Sequence, residues 1–166
     1  QGVAYSASYL GLKSTIFMPT FTPPAKVNAT KGYGADVILT GTSFDDAFAA
    51  SQEYLEEHNG TYIHPFNDEK IIAGQGVVGI EIFRRLPETD TVFVPIGGGG
   101  LISGIAIALK EINPNIKIIG VEAEGAASML ASQKSESVLA LNQCHTIADG
   151  IAVKKPGDLT FNIVKE

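Results

Sequence analysis

Cys144 is the only cysteine in the 166 residues, so no disulfide can form within the chain. Nothing in the composition then implies secretion, and a reducing cytoplasm is the expected compartment. Basic residues are outnumbered: 12 Lys and Arg against 18 Asp and Glu give a net charge of −6. They are scattered rather than gathered into the basic stripe that nucleic-acid binding needs, so no nucleic-acid partner is expected. Long apolar runs are missing as well. The longest uncharged stretch is too short and too glycine-rich to span a bilayer, and no signal-peptide pattern stands at Gln1. No membrane partner is expected. The sequence has no low-complexity tract and no internal repeat. What is there is a 45% apolar fraction, ample for a core, in a length that suits about one domain.

The apolar pattern alternates between short runs and helical stripes. Val3, Ala7 and Leu10 share a helical face, with Gly11 as its stop, so the chain is expected to open inside or just before a helix, as a piece of something longer. Strands are expected at Thr15–Met18, Asp36–Leu39, Tyr62–His64, Thr91–Ile96 and Ile116–Glu122. Helices are expected over Lys26–Tyr33, after Pro23-Pro24, and over Phe44–His58, where Ser43 and Asp46 form a capping box. A longer helix runs from an Asp68 cap to about Leu86, with Ile71, Ile72, Val78, Ile82 and Phe83 as its inward stripe. Further helices follow from Leu101, over Ala126–Gln133 and from Leu159. Ser135–His145 has no period and reads as a surface loop. Strand–helix alternation throughout gives an α/β class with parallel sheets and helices on both faces. The strands can form one sheet or two, and Phe66-Asn67-Asp68 is the expected crossing between two lobes, 1–66 and 67–166.

The centre of the sequence is Thr91–Lys110, TVFVPIGGGGLISGIAIALK. A buried strand on the pattern of Val92, Phe93, Val94 and Ile96 leads into Gly97–Gly100, and a helix starts at Leu101. Four glycines in succession lose more backbone freedom than a plain turn would justify. Without Cβ atoms their N–H groups can converge at a helix start, where the dipole favours an anion. A phosphate is the expected guest. A Walker loop is excluded, because no Gly-Lys-Ser/Thr end follows. A Rossmann fingerprint is only imitated by Gly98, Gly100 and Ser103, although Glu122, closing the next apolar strand, stands where an acid would meet a ribose hydroxyl.

Other constellations carry less. His58, His64 and His145 are far apart and no helix pairs them. No nucleophile elbow is present, since Ser103 sits in G-L-I-S-G. Glu122-Ala123-Glu124, at a strand's C-terminal end, can hold a hard cation together with the Ala126 carbonyl, or can cap a helix. Asp149-Gly150 interrupts an apolar run, as a turn or as bare backbone on which a flat ligand can lie.

P-I-G-G-G-G-L-I-S-G, then I-I-G-V-E, then T-I-A-D-G-I-A-V, resembles the threonine dehydratases, which share the fold of the tryptophan synthase β chain and are close to serine racemase. K-V-N-A-T-K-G-Y-G-A-D-V-I-L, H-P-F-N-D and I-A-G-Q-G are similar to the same family, and the motifs come in its order along essentially the whole chain. The resemblance implies a two-lobed pyridoxal-phosphate fold, with residues 1–66 in a small lobe and 67–166 in part of the larger one. It implies deamination of L-threonine or L-serine, to 2-oxobutanoate and ammonia in the case of threonine, and a homo-oligomer when intact. Gly97, Gly98, Gly99, Gly100 and Leu101 would bind the cofactor's phosphate, and Gly150 would lie against its pyridine ring. Glu122 and Ala126 match positions that help bind Mg²⁺ or Ca²⁺ in metal-dependent relatives, but a further acidic ligand of those relatives is Ser128 here. The family's Schiff-base lysine has no counterpart among the lysines of this chain, so no catalytic residue is assigned and the 166 residues alone are expected to be inactive. A racemase on the same chemistry and a non-catalytic Rossmann-type nucleotide-binding module are the alternatives.

Overall fold

Two separate pairs of parallel strands organise the chain. The computed structural model describes residues 1–166 and divides them into two units, Gln1–Ile63 and His64–Glu166.

In the first unit, α1 (Gly2–Tyr9) precedes β1 (Thr15–Met18), α2 (Pro24–Gly32), β2 (Asp36–Leu39) and α3 (Phe44–Glu57). β1 and β2 pair in parallel from Thr15 opposite Asp36 to Met18 opposite Leu39. Pro24 opens α2, where its missing N–H costs nothing. The capping box of α3 is present: Asp46 N–H donates to Ser43 Oγ at 3.1 Å, and Ser43 N–H donates back to Asp46 Oδ2 at 3.0 Å. A backbone donation from Thr42, reinforced by Ser43, holds the Asp46 carboxyl below its ordinary range. The expected strand at Tyr62–His64 does not form. No neighbouring backbone pairs with it, and a short apolar run becomes a strand only when one does. The Tyr62 ring packs edge-on against Phe48 instead, with ring centres 5.6 Å apart.

The second unit contains α4 (Glu69–Arg85), β3 (Thr91–Pro95), α5 (Gly100–Ile112), β4 (Lys117–Val121), α6 (Ser128–Lys134) and α7 (Asp158–Lys165). Single 3₁₀ turns lie at Glu124–Ala126 and Asp149–Ile151. β3 and β4 run parallel from Thr91 opposite Lys117 to Pro95 opposite Val121. Val94, Ile96, Ile102, Ile105, Leu109, Ile116, Met129 and Phe161 form the core. Within these 166 residues only one face of β3 is covered. Val94 is 1% exposed, but its neighbour Phe93 is 67% exposed. Alternate side chains of a strand point to opposite faces, and here one face of the pair packs inward while Phe93, Ile119 and Val121 face out.

The inward stripe of α4 also differs from expectation. Ile72, Gly76 and Gly79 are its buried residues, whereas Val78 is exposed. Glycines carry the contact because α4 and α5 touch backbone to backbone. A Cβ on Gly76 would stand 3.1 Å from the Gly104 carbonyl oxygen, and one on Gly79 would stand 3.1 Å from that of Ile105. A Cβ on Gly104 would run into the Ile72 carbonyl and the Gly76 nitrogen.

Candidate cofactor site

The parallel register of β3 and β4 brings their carboxyl ends to one edge, where α/β proteins place ligands. Ile96 N–H extends the pairing by donating to Val121 O at 2.8 Å, and the chain then leaves through Gly97–Gly99 into α5. Gly99 is the N-cap residue, with φ +96°, a conformation that excludes ordinary side chains. The first N–H of α5 to find a helical acceptor is that of Ser103, 3.0 Å from Gly99 O. Those of Gly98, Gly99, Gly100 and Leu101 donate to no group of the protein. Gly98, Gly99 and Gly100 are buried. Buried N–H groups without partners are costly, and three of them in succession, followed by that of the half-buried Leu101, fit an anion at a helix start.

The glycines have a second cause that the sequence did not disclose. The Phe66 ring fills the space a Cβ would need on Gly98, and the Phe66 backbone and Cβ fill that space on Gly100. At Gly99 a Cβ would meet Thr160 Oγ1 at 2.7 Å and Met129 Cε at 2.8 Å. The protein itself, rather than an approaching ligand, demands glycine here.

Gly150 lies 53 residues beyond Gly97 yet arrives beside it. A Cβ on Gly97 would stand 3.1 Å from Ile151 Cα and 3.6 Å from Gly150 O, while one on Gly150 would meet nothing within 4 Å. The loop and the open Gly150 backbone are thus neighbours at the same edge.

Glu122 follows β4 and acts as the cap of α6. Its Oε1 accepts Met129 N–H at 2.8 Å and its Oε2 accepts Leu130 N–H at 2.9 Å. Both oxygens therefore hold the start of α6, a helix-capping role rather than the ribose contact that a Rossmann reading gives this acid. Ala126 is buried, and its N–H donates to Ala123 O. Ser128 is buried, with its Oγ lacking any hydrogen-bond partner. No group of three or more His, Cys, Asp or Glu side chains is arranged so that it could hold a metal ion.

His64–Asp68 supports the glycine loop from beneath. His64 Nδ1 accepts the N–H of Phe66 at 3.2 Å and of Asn67 at 2.8 Å. Asn67 Oδ1 accepts Leu159 N–H at 2.9 Å, tying this turn to the start of α7. Asp68 Oδ1 caps α4 through Lys70 N–H and Ile71 N–H. Thr160, one residue after Leu159, donates its hydroxyl to Gly98 O at 2.6 Å. Sequence reasoning found the Asp68 cap but missed Phe66, Asn67 and Thr160 as supports. Their partners are 92 and 62 residues away where hydrogen bonds are concerned, and no local spacing signals them.

Accepting two N–H groups requires His64 to be neutral at Nδ1. Burial pushes its pKa below the ordinary 6.5, and the Asp68 carboxylate only partly opposes this. With the folded value lower than the unfolded one, the contribution to stability is complete above about pH 6.5. It is lost as pH falls through the folded value. Melting temperature should therefore drop on acidification across that window. His64→Asn, whose side-chain oxygen accepts hydrogen bonds at any pH, should melt with a flatter profile there; an unchanged slope would remove His64 as the cause.

A family model described as pyridoxal-phosphate dependent enzyme matches residues 1–166. The chain is 50% identical over its full length to an L-threonine ammonia-lyase of Geobacter sulfurreducens, covering 41% of that protein. Among solved structures it is similar to the processed form of threonine deaminase isoform 2 from Solanum lycopersicum. The TM-score is 0.92 at 45% identity, with 100% of this chain and 46% of that one covered. Maize serine racemase gives a TM-score of 0.92 at 39% identity, covering 99% of this chain and 50% of that one. The chain thus spans about half the length of these relatives. No helix is long and apolar enough to cross a membrane.

Proposed function

Because the chain belongs to the pyridoxal-phosphate dependent enzymes, we propose that it forms part of a threonine dehydratase, deaminating L-threonine to 2-oxobutanoate and ammonia and accepting L-serine as the smaller homologue. One observation carries the reading: the successive N–H groups of Gly98 to Leu101, none of them donating to the protein, stand at the start of α5 on the carboxyl edge of a parallel strand pair. They suit the cofactor's phosphate, with Gly97 alongside, and the open backbone at Gly150 suits the flat face of its ring. When bound, the cofactor accepts the electron pair left at the substrate's α-carbon as the proton departs. The chain's own contribution is to hold the phosphate without a cationic side chain, through backbone donors and the positive end of α5. Loss of the α-proton and of the β-hydroxyl as water leaves an enamine; a proton moving from its nitrogen to the β-carbon gives the imine, and the water that hydrolyses its C=N bond releases 2-oxobutanoate and ammonia.

In this reading residues 1–66 contribute to a small lobe and 67–166 to the cofactor-binding lobe, the protein works in the cytoplasm, and identical copies assemble into an oligomer. The relatives named as threonine ammonia-lyase and threonine deaminase support the substrate. The likeness to maize serine racemase supports a second reading, racemisation of serine. The test is to supply the full-length protein with pyridoxal phosphate and each L-amino acid. The dehydratase reading expects 2-oxobutanoate from threonine; D-serine as the main product would establish the racemase.

For the cation, we read Glu122 as a helix cap, since both of its oxygens hold α6 and Ser128 supplies no second carboxylate. Titration with Mg²⁺ or Ca²⁺ should give no binding heat beyond dilution. Heat that disappears in Glu122→Ala would instead make Glu122 and the Ala126 carbonyl cation ligands.

A further inference from the structure

The donors of the glycine loop are useful to an anion only while their peptide planes point the right way. Every peptide bond in the chain is trans. In a trans peptide the carbonyl of one residue and the N–H of the next point in opposite directions. Whatever holds Gly98 O therefore also sets the direction of Gly99 N–H. This matters because glycines flank the peptide on both sides, and glycine tolerates backbone conformations of either sign. Nothing local prevents the plane from turning over, which would swing a carbonyl oxygen toward the anion and take a donor away.

Two groups anchor Gly98 O, both from the start of α7. The Thr160 hydroxyl donates to it at 2.6 Å and Gly157 N–H donates at 3.2 Å. The hydroxyl has one proton and also lies 3.1 Å from Gly157 O, but the shorter bond is to Gly98. Thr160 is 0% exposed, so water does not compete. Its own position is held through Leu159, whose N–H is bound by Asn67.

We propose that Thr160 is a positioning residue for the cofactor's phosphate, locking the Gly98–Gly99 peptide so that Gly99 N–H faces the anion. The inference rests on the phosphate reading of the loop and deepens it. Thr160 touches no cofactor atom in this account; it acts through the backbone.

Thr160→Val keeps the branched shape and removes the donor, while Thr160→Ser keeps the donor and removes a methyl. Dissociation constants for pyridoxal phosphate and for pyridoxal, which lacks the phosphate, are measured by absorbance titration of the purified proteins. Thr160→Val should weaken pyridoxal phosphate binding about tenfold, the scale of one hydrogen bond to a charged group. Its pyridoxal affinity should stay at the wild-type value, and Thr160→Ser should restore the phosphate preference. If Thr160→Val does not fold, the smaller Thr160→Ala carries the same expectation. Equal weakening for both ligands, or none for either, would overturn the proposal. A wild-type protein with no preference for pyridoxal phosphate over pyridoxal would instead overturn the phosphate reading beneath it.

Discussion

Leu101→Pro should cut the affinity for pyridoxal phosphate about ten- to a hundredfold beyond any effect of Leu101→Ala. Leu101 is the second residue of α5, within the first turn, where proline is tolerated because no intrahelical hydrogen bond is lost, and it removes the N–H. A hydrogen bond to a charged partner is worth about 1.5–3 kcal/mol, and about 1.4 kcal/mol is tenfold in affinity. Leu101 also packs partly against the core, so either variant loses apolar contact. The alanine variant isolates that loss, because it keeps the donor. Pyridoxal should bind both variants alike. If the two variants bind pyridoxal phosphate equally, the amide of Leu101 does not touch the phosphate, and the anion site must be moved or abandoned.

Gly104→Val should destabilise the second unit by about 3–5 kcal/mol, at the upper end for single substitutions. The added Cβ meets backbone, the Ile72 carbonyl and Gly76 nitrogen, and backbone cannot swing aside as a side-chain tip can. Relief requires α4 and α5 to separate, which opens the core around Ile105 and Leu109. Gly74 lies on α4 too, but a Cβ there meets nothing within 4 Å. Gly74→Ala should therefore stabilise by about 0.5–1 kcal/mol, because alanine gives up less freedom in a helix. Urea midpoints for the two variants should move in opposite directions. A Gly104→Val midpoint near the wild-type value would mean that the two helices are not in backbone contact.

The parts legible in sequence were those whose causes lie within a few residues. The turn from β3 into α5 announced itself through Gly97–Gly100, and the α3 box through Ser43 and Asp46, because a helix start is capped locally. The parallel pairing of β1 with β2 and of β3 with β4 followed from strand–helix alternation. What stayed hidden depends on partners remote in sequence. Hydrophobic periodicity favoured Val78 over Gly76 as a buried residue of α4, since glycine carries no apolar signal even where it alone permits contact. Glu122 was legible as an acid at a strand end, but its choice between a helix and a cation depends on where α6 begins. The supporting bonds of Thr160 and Asn67 gave no signal, because each works through a partner that only the folded chain brings near.

The packing of Phe66, Met129 and Thr160 against the glycine loop has a consequence for reading mutational tolerance. In a saturation library selected for activity, Gly98, Gly99, Gly100 and Gly104 should all be depleted to a similar depth. The first three lie where a ligand would bind and the fourth lies within a helix contact, yet each is intolerant because its Cβ position is already filled by the protein. Depletion at these positions cannot rank them by role. The informative positions are those where a side chain is accepted and only a hydrogen atom is at stake. At Leu101 a selection profile that admits many residues but rejects proline would mark a backbone donor at work.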